Sequence, residues 1–592
     1  MSKQNQIGII ITTFAIFAGI ISIALSRPMP DGNVQALAAV PIQKAQDEPS
    51  RFPLTFQQLG NQVERIRPSE FSQLGDPFFN LVLKENAQIT SLVELEEMIQ
   101  PDADKRKIYV ASEMIIDQDP SVGRRAVISF EGENGSEELT DNLMFSISFG
   151  AQSLPENPPS IEVWGWDDHR GRYNYYKLDN AGTRELSWKF RGSSENVDLT
   201  DASERQTTCM RCHLNGAPLM KELLLPWNNW HSFSSSIDYL RAGRGDDEWP
   251  IATDERFRAS LAGAQRLEGN IIRSIRRFNT HRISQALSKN METGGFNMGD
   301  EGLQTVMEGQ RLLRPLFETT EFNIISSKAK SNLHPFDDDT SRTTEIILPT
   351  TFFLNERLIK GGGIPRYHGL KLRETNGFSR VASLHREEYE QLLIENEVLL
   401  DGVKPGDTHF TWLVPEPSHI DVDMADQLLK RGIVTAHFLA AVIAVDLENP
   451  VLSQDRASLL SFIPERFDFR PVPADENPLT FFRAEDNSDR DPLTNAVIAT
   501  IQATEPITGT PAADFLALLQ SEDAVKVLRK RIDAYLTRVK VQLGNQETRF
   551  AELQRLHEKT ITLRRAIITH PSMGNLDETG GQLLFPLPRA IN

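Results

Sequence analysis

The chain has 592 residues, 39% of them hydrophobic and 24% charged, the balance of an ordinary globular body with room for roughly three or four domains. A net charge of −19 excludes nucleic acid and anionic membrane surface as natural partners, because like charges repel. Only two cysteines are present, so no disulfide framework braces the fold and apolar packing must hold it together.

The first element in chain order is apolar. After Lys3, the run Ile7–Leu25 is 19 residues without a charge, long enough for the core of a signal peptide or for one membrane span. Positive charge stays inside, so Lys3 and the amino terminus direct the rest of the chain to the far side of the membrane. Residues 1–26 are expected to be a signal peptide or signal anchor. Retention as an inner-membrane anchor facing the periplasm is favoured over release by cleavage near Ala24 and Ser26. Residues 27–51 mix proline, alanine, glutamine and charge without periodicity and read as a linker.

Residues 52–200 are expected to form a mainly β domain. Runs such as "AVISF", "LMFSISFG", "SIEVWGW" and "YNYYKL", broken by Gly, Asn and Asp, have the pattern of an antiparallel sheet. Trp164, Trp166, Tyr173, Tyr175 and Tyr176 fall at strand spacing, which points to core positions rather than a ligand-binding face.

Both cysteines lie in "TTCMRCHLNGAPLM", residues 207–220, three positions apart with His213 directly behind the second. Chance gives this arrangement on the order of 1 time in 15,000, so the spacing needs a chemical cause. Zinc would want four ligands, and no second C-x-x-C pair exists. A redox dithiol would need a thioredoxin-like βαβ setting, which the polar stretch 196–206 does not supply, and would leave the histidine without a role. C-x-x-C-H suits covalent haem attachment, in which the thiols become thioethers to the porphyrin vinyl groups and the adjacent imidazole takes the iron.

Through Cys209, Cys212 and His213 the chain resembles the c-type cytochromes. The longer stretch "CHLNGAPLMKELLLPWNNWHSF" is similar to the haem segment of some large bacterial single-haem proteins. The resemblance implies one covalent haem c, bound by Cys209 and Cys212 with His213 as iron ligand, and maturation outside the cytoplasm, in keeping with the apolar N-terminus. It rests on five residues and names no fold.

The other axial position stays open. Met220 is close behind His213 and cramped, His231 in "PWNNWHSF" has ample reach, and Met298 and Met573 sit in loop-like settings. Occupied coordination favours electron transfer, whereas an open polar pocket favours peroxide or oxygen chemistry. The leading expectation is an exported or membrane-anchored cytochrome that transfers electrons, steered by its acidic field toward a basic redox partner protein. A peroxidase-like or oxygenase-like haem enzyme and a haem-based sensor or scaffold are the alternatives.

The haem-binding region, 201–333, continues with helical periodicity. Within it Arg273, Arg277 and His281 share one face at i, i+4 and i+8, read as a solvated face in preference to a stripe for haem propionates. Residues 334–420 are mixed, and "KGGGIPRYHG" lacks the spacing of a phosphate loop. Residues 421–592 are helical, with the stretches Glu522–Leu543 and Glu547–Thr569 expected to fold as an antiparallel hairpin. The fold class is therefore α+β: an N-terminal membrane anchor, an antiparallel β domain, a mostly α-helical haem c region and a helical C-terminal region.

Overall fold

A computed structural model describes residues 54–59, 62–84, 106–112, 124–130, 142–149, 160–179, 187–194, 259–263, 267–288, 302–318, 322–326, 345–348, 382–385, 413–417, 419–449, 453–478, 491–555 and 558. The chain divides into two units, Met1–Arg51 and Phe52–Asn592, and every described residue belongs to the second. Its architecture is α+β. No helix among the described residues is long and apolar enough to cross a membrane, and Ile7–Leu25 lies outside them.

Nine strands form one sheet: β1 (Leu54–Leu59), β2 (Gln62–Arg65), β3 (Arg106–Ser112), β4 (Arg124–Phe130), β5 (Leu143–Phe149), β6 (Ser160–Asp167), β7 (Arg172–Asp179), β8 (Ser187–Ser193) and β9 (Leu261–Gly263). They run in the order β2-β1-β8-β7-β6-β5-β4-β3-β9. From β3 to β8 the chain meanders, each strand antiparallel to the last. Two pairs are parallel, β1 with β8 and β9 with β3. The sheet thus takes its last strand from beyond residue 200. That pairing covers the outer edge of β3, which would otherwise offer open backbone groups.

Side-chain alternation decides what lies on each face. Trp164 and Trp166 of β6 and Tyr173 and Tyr175 of β7 are buried in one cluster with Ile271, Ile275 and Phe278. These three belong to helix α2 (Leu267–Ser288), preceded in the chain by the single turn α1 (Pro68–Phe71). Burying each such side chain contributes roughly 1.5–3 kcal/mol, so this stripe holds α2 on the sheet. The aromatic set is core, as its spacing implied: Tyr176 is also buried, on the opposite face, packed on Phe78 at 5.1 Å between ring centroids. Phe78 in turn packs edge-on against Trp188 at 4.7 Å.

The basic stripe of α2 departs from its sequence reading. Arg273 is exposed, but Arg277 and His281 are half-buried against the sheet. The helix lies across the sheet broadly enough that i+4 and i+8 from Arg273 meet the start of β5 and the β6–β7 turn.

Further along α2, Ile283 and Ala286 enter a second, larger core. It is built from α3 (Gly309–Phe317), α4 (His419–Arg431), α5 (Ala436–Ala444), then, past the short α6 (Gln454–Ser458) at its margin, α7 (Pro492–Gln502), α8 (Pro511–Leu519) and α9 (Ala524–Gly544). The apolar "AHFLAAVIA" of α5 runs through its middle, with Phe438, Leu439, Ala440 and Val442 all buried. Thr435 caps α5 by accepting from Phe438 N and donates its own hydroxyl to Asp491, which caps α7. Past Asn545 the chain is helical again at 546–555. There Arg555 shares a cleft wall with Tyr535 and Arg538, so the second segment turns back along α9. Short strand pairs, β10 (Gln304–Val306) with β15 (Phe467–Phe469), β11 (Phe322–Ser326) with β14 (Leu413–Pro417) and β12 (Glu345–Leu348) with β13 (Ala382–His385), complete the described elements.

Candidate functional site

Cys209, Cys212, His213, Met220 and His231 lie within 195–258, outside the described residues, as do Met298 and Met573. What the described residues fix is where the chain leaves and returns. It leaves after Ser194, at the end of β8, where Ser193 pairs with Asn174 and Tyr173 N donates to Ser194 Oγ at 3.0 Å. It returns at Ala259, and Ser260 O then accepts from Ile108 N as β9 joins β3.

Strand directions place both points at one end of the sheet. β8 descends beside the ascending β7, whose first residue, Arg172, follows the β6–β7 turn; β9 ascends beside β3 and so begins at that same end. β8 and β9 are six strand spacings apart in the sheet order, about 29 Å, which roughly nine extended residues would cover. Most of 195–258 is surplus to that crossing.

The side chains gathered at this end come from α2, β6, β7 and the residue before β5. Arg277 of α2 donates from Nη1 to Asn142 Oδ1 and from Nη2 to Tyr173 Oη at 3.1 Å, and its guanidinium lies 4.4 Å from the centre of the Trp166 ring. Trp166 donates from Nε1 to Asp168 Oδ1 at 3.1 Å. One helical turn beyond Arg277, the His281 imidazole packs edge-on to Trp166 at 6.1 Å. Its ring also fills the side-chain position of Gly171, where a β-carbon would come within 1.9 Å of Cε1. Gly171 has φ +62°, a backbone state a tight turn takes readily only with glycine.

On the opposite face, the same hairpin holds a buried polar centre. Asp76 accepts from Tyr176 Oη at 2.5 Å, Asn174 Nδ2 at 2.8 Å and Phe79 N at 3.0 Å. Burial nevertheless raises its carboxyl above the ordinary range, with a smaller push from the nearby Asp167. Burial beside Asp76 likewise pushes the Tyr176 phenol upward. Nothing local in "SQLGDPFFN" announces this centre, because the partners of Asp76 lie about a hundred residues on.

A concavity of about 850 Å³ opens in the helical body between the 444–449 segment and the α9 hairpin. Its arginines are already engaged: Arg531 is bidentate to Asp514 at 2.7 and 2.8 Å, Arg538 meets Glu448 at 2.6 Å and Arg555 meets Glu552 at 2.6 Å. Cations satisfied in this way hold α5, α8 and α9 together and leave little charge for a ligand.

Among the described residues no group of three or more His, Cys, Asp and Glu side chains is arranged to hold a metal ion. A haem needs less from this part of the chain, since C-x-x-C-H brings its own thiols and first imidazole. At the sheet end the half-buried His281 imidazole lies in an aromatic setting, and the Arg277 guanidinium is already engaged by Asn142, Tyr173 and the Trp166 ring. The chain matches no protein-family model, no curated protein and no solved structure.

Proposed function

We propose that this protein is an exported, membrane-anchored c-type cytochrome that transfers electrons on one covalently attached haem. The observation that supports the reading is the chain's only two cysteines standing in C-x-x-C-H spacing. When bound, the haem supplies a one-electron ferric–ferrous couple whose potential follows from axial ligation and burial.

The chain's own residues provide the rest. Cys209 and Cys212 hold the group by thioethers, and His213 gives an imidazole nitrogen to the iron. Residues 201–333 form the haem region, which a mixed region, 334–420, separates from the helical C-terminal region, and Ile7–Leu25 keeps the body at the periplasmic face of the inner membrane. The net charge of −19 draws a basic redox partner and repels nucleic acid.

The test is expression with c-type maturation, followed by intact mass and a haem stain after denaturation. The wild type is expected to carry one haem that survives denaturation, and Cys209→Ser with Cys212→Ser to lose it. Two unmodified thiols with no surviving pigment would overturn the proposal. A high-spin ferric form that binds cyanide and turns over peroxide would move the protein from carrier to enzyme.

A further inference from the structure

We infer that Tyr176 is a redox-active tyrosine, oxidised by one electron at its phenol with Asp76 as the proton acceptor. A phenol gives up an electron readily only if its proton leaves in the same step, because the radical cation is a far stronger acid than the phenol itself. Tyr176 is 0% exposed, so water cannot take that proton. Its Oη instead donates to Asp76 Oδ2 at 2.5 Å, the length of a charge-assisted bond between a hydroxyl and a carboxylate. Transfer across such a bond needs no rearrangement of the heavy atoms.

The base is held in place. Phe79 N and Asn174 Nδ2 also donate to the carboxylate, which is wedged into the slot that Gly165 leaves open. Burial and the neighbouring Asp167 raise its affinity for a proton above that of a surface aspartate, which favours the proton's arrival. Phe78 and Phe190 pack on the phenol ring at 5.1 and 5.6 Å between centroids, with Trp188 behind Phe78 at 4.7 Å. That wall keeps water and dissolved reductants away from a radical. Tyr173, on the other face of the sheet, lacks these features: its oxygen accepts from Arg277 and faces Ser274 O at 3.5 Å, a cation and a weak base that both oppose oxidation. In the step proposed for Tyr176 the Oη–H bond breaks, the proton bonds to Asp76 Oδ2, and a neutral phenoxyl radical remains. The electron passes to a metal-centred one-electron oxidant of high potential, and its return restores both side chains.

The experiment oxidises the full chain with photogenerated tris(bipyridine)ruthenium(III), freezes it and reads electron paramagnetic resonance, with circular dichroism as the fold control. The chain has 8 tyrosines and 7 tryptophans, so labelling makes the assignment. Wild type is expected to hold a long-lived neutral tyrosyl signal that narrows when its tyrosines are ring-deuterated. Y176F is expected to lose that signal and Y173F to keep it. D76N, whose amide cannot take the proton, is expected to lower the yield several-fold. Placing 3-fluorotyrosine at position 176 alone preserves the packing and is expected to add a fluorine splitting, which decides the matter if Y176F or D76N does not fold. The assignment is overturned by a wild type without the tyrosyl signal, by a signal that survives in Y176F or vanishes in Y173F, by an unchanged yield in D76N, or by a missing fluorine splitting.

Discussion

Asp76 occupies the space of the side chain that Gly165 lacks. A β-carbon on Gly165 would lie 2.5 Å from Asp76 Oδ1 and 2.8 Å from its Cβ, closer than folded proteins permit. The register puts Asn174 directly opposite Gly165, so the missing side chain leaves the slot in which Asn174 and Tyr176 reach the carboxylate. Gly165→Ala is expected to expel Asp76 and break three buried bonds, at a cost of about 2–4 kcal/mol. Urea unfolding checks this, and a change below about 0.5 kcal/mol would mean the carboxylate is not seated there.

The same carboxyl sets a pH dependence whose sign runs against the usual aspartate. Burial, its largest influence, raises Asp76 in the folded state, whereas the unfolded chain returns it to about 3.9. The folded protein then binds this proton more tightly than the unfolded one. Its contribution is therefore fully present below about pH 3.9 and is lost as pH rises through the folded value. Asp76→Asn cannot titrate. The stability difference, wild type minus variant, measured by denaturant midpoints across the weakly acidic range, is expected to fall as pH rises. A difference that grows with pH would mean the bonds from Tyr176, Asn174 and Phe79 outweigh burial.

Asp491 serves two helices at once. It accepts from Thr494 N at 3.0 Å as the cap of α7, and from the hydroxyl of Thr435, the cap of α5, at 2.8 Å. Asp523 caps α9 alone, accepting from Lys526 N at 3.0 Å on an exposed surface. Asp491→Ala is expected to cost about 2–3 kcal/mol and Asp523→Ala about 1 kcal/mol. Equal losses in thermal unfolding would show that the link between α5 and α7 adds nothing.

Arg277 is held by a fork rather than by charge alone. Nη1 and Nη2 serve different acceptors, Asn142 and Tyr173, while the flat guanidinium covers Trp166. A lysine has the charge without the fork. Arg277→Lys is thus expected to lose about 1–2 kcal/mol, most of the loss seen in Arg277→Met. Full recovery by lysine, in the same thermal melts, would assign the effect to charge.

How much of this was legible in sequence depends on the range of the signal. The strands around "LMFSISFG" and "SIEVWGW" announce themselves because period-two alternation is local, and both faces of those strands are indeed buried. The aromatic core followed from the same spacing. The stripe Arg273–Arg277–His281 was visible as a helix face, but whether that face meets water or a sheet is decided by tertiary packing. Asp76 gave no signal, since a lone aspartate in "LGDP" has the look of a turn until Gly165 and Asn174 are brought to it from another strand. β9 was hidden for a similar reason: "LAG" is too short for periodicity and owes its strand form to the waiting edge of β3.

Gly171 joins the β6–β7 turn to helix α2 through the ring of His281. Its φ of +62° already disfavours any β-carbon, and alanine there would come within 1.9–2.1 Å of three atoms of the His281 ring. Gly171→Ala is expected to cost about 1–3 kcal/mol and to push the imidazole aside. Thermal unfolding checks this, and a Gly171→Ala variant as stable as the wild type would mean that the His281 ring does not fill the space above the turn, because a seated ring leaves no room for the added carbon.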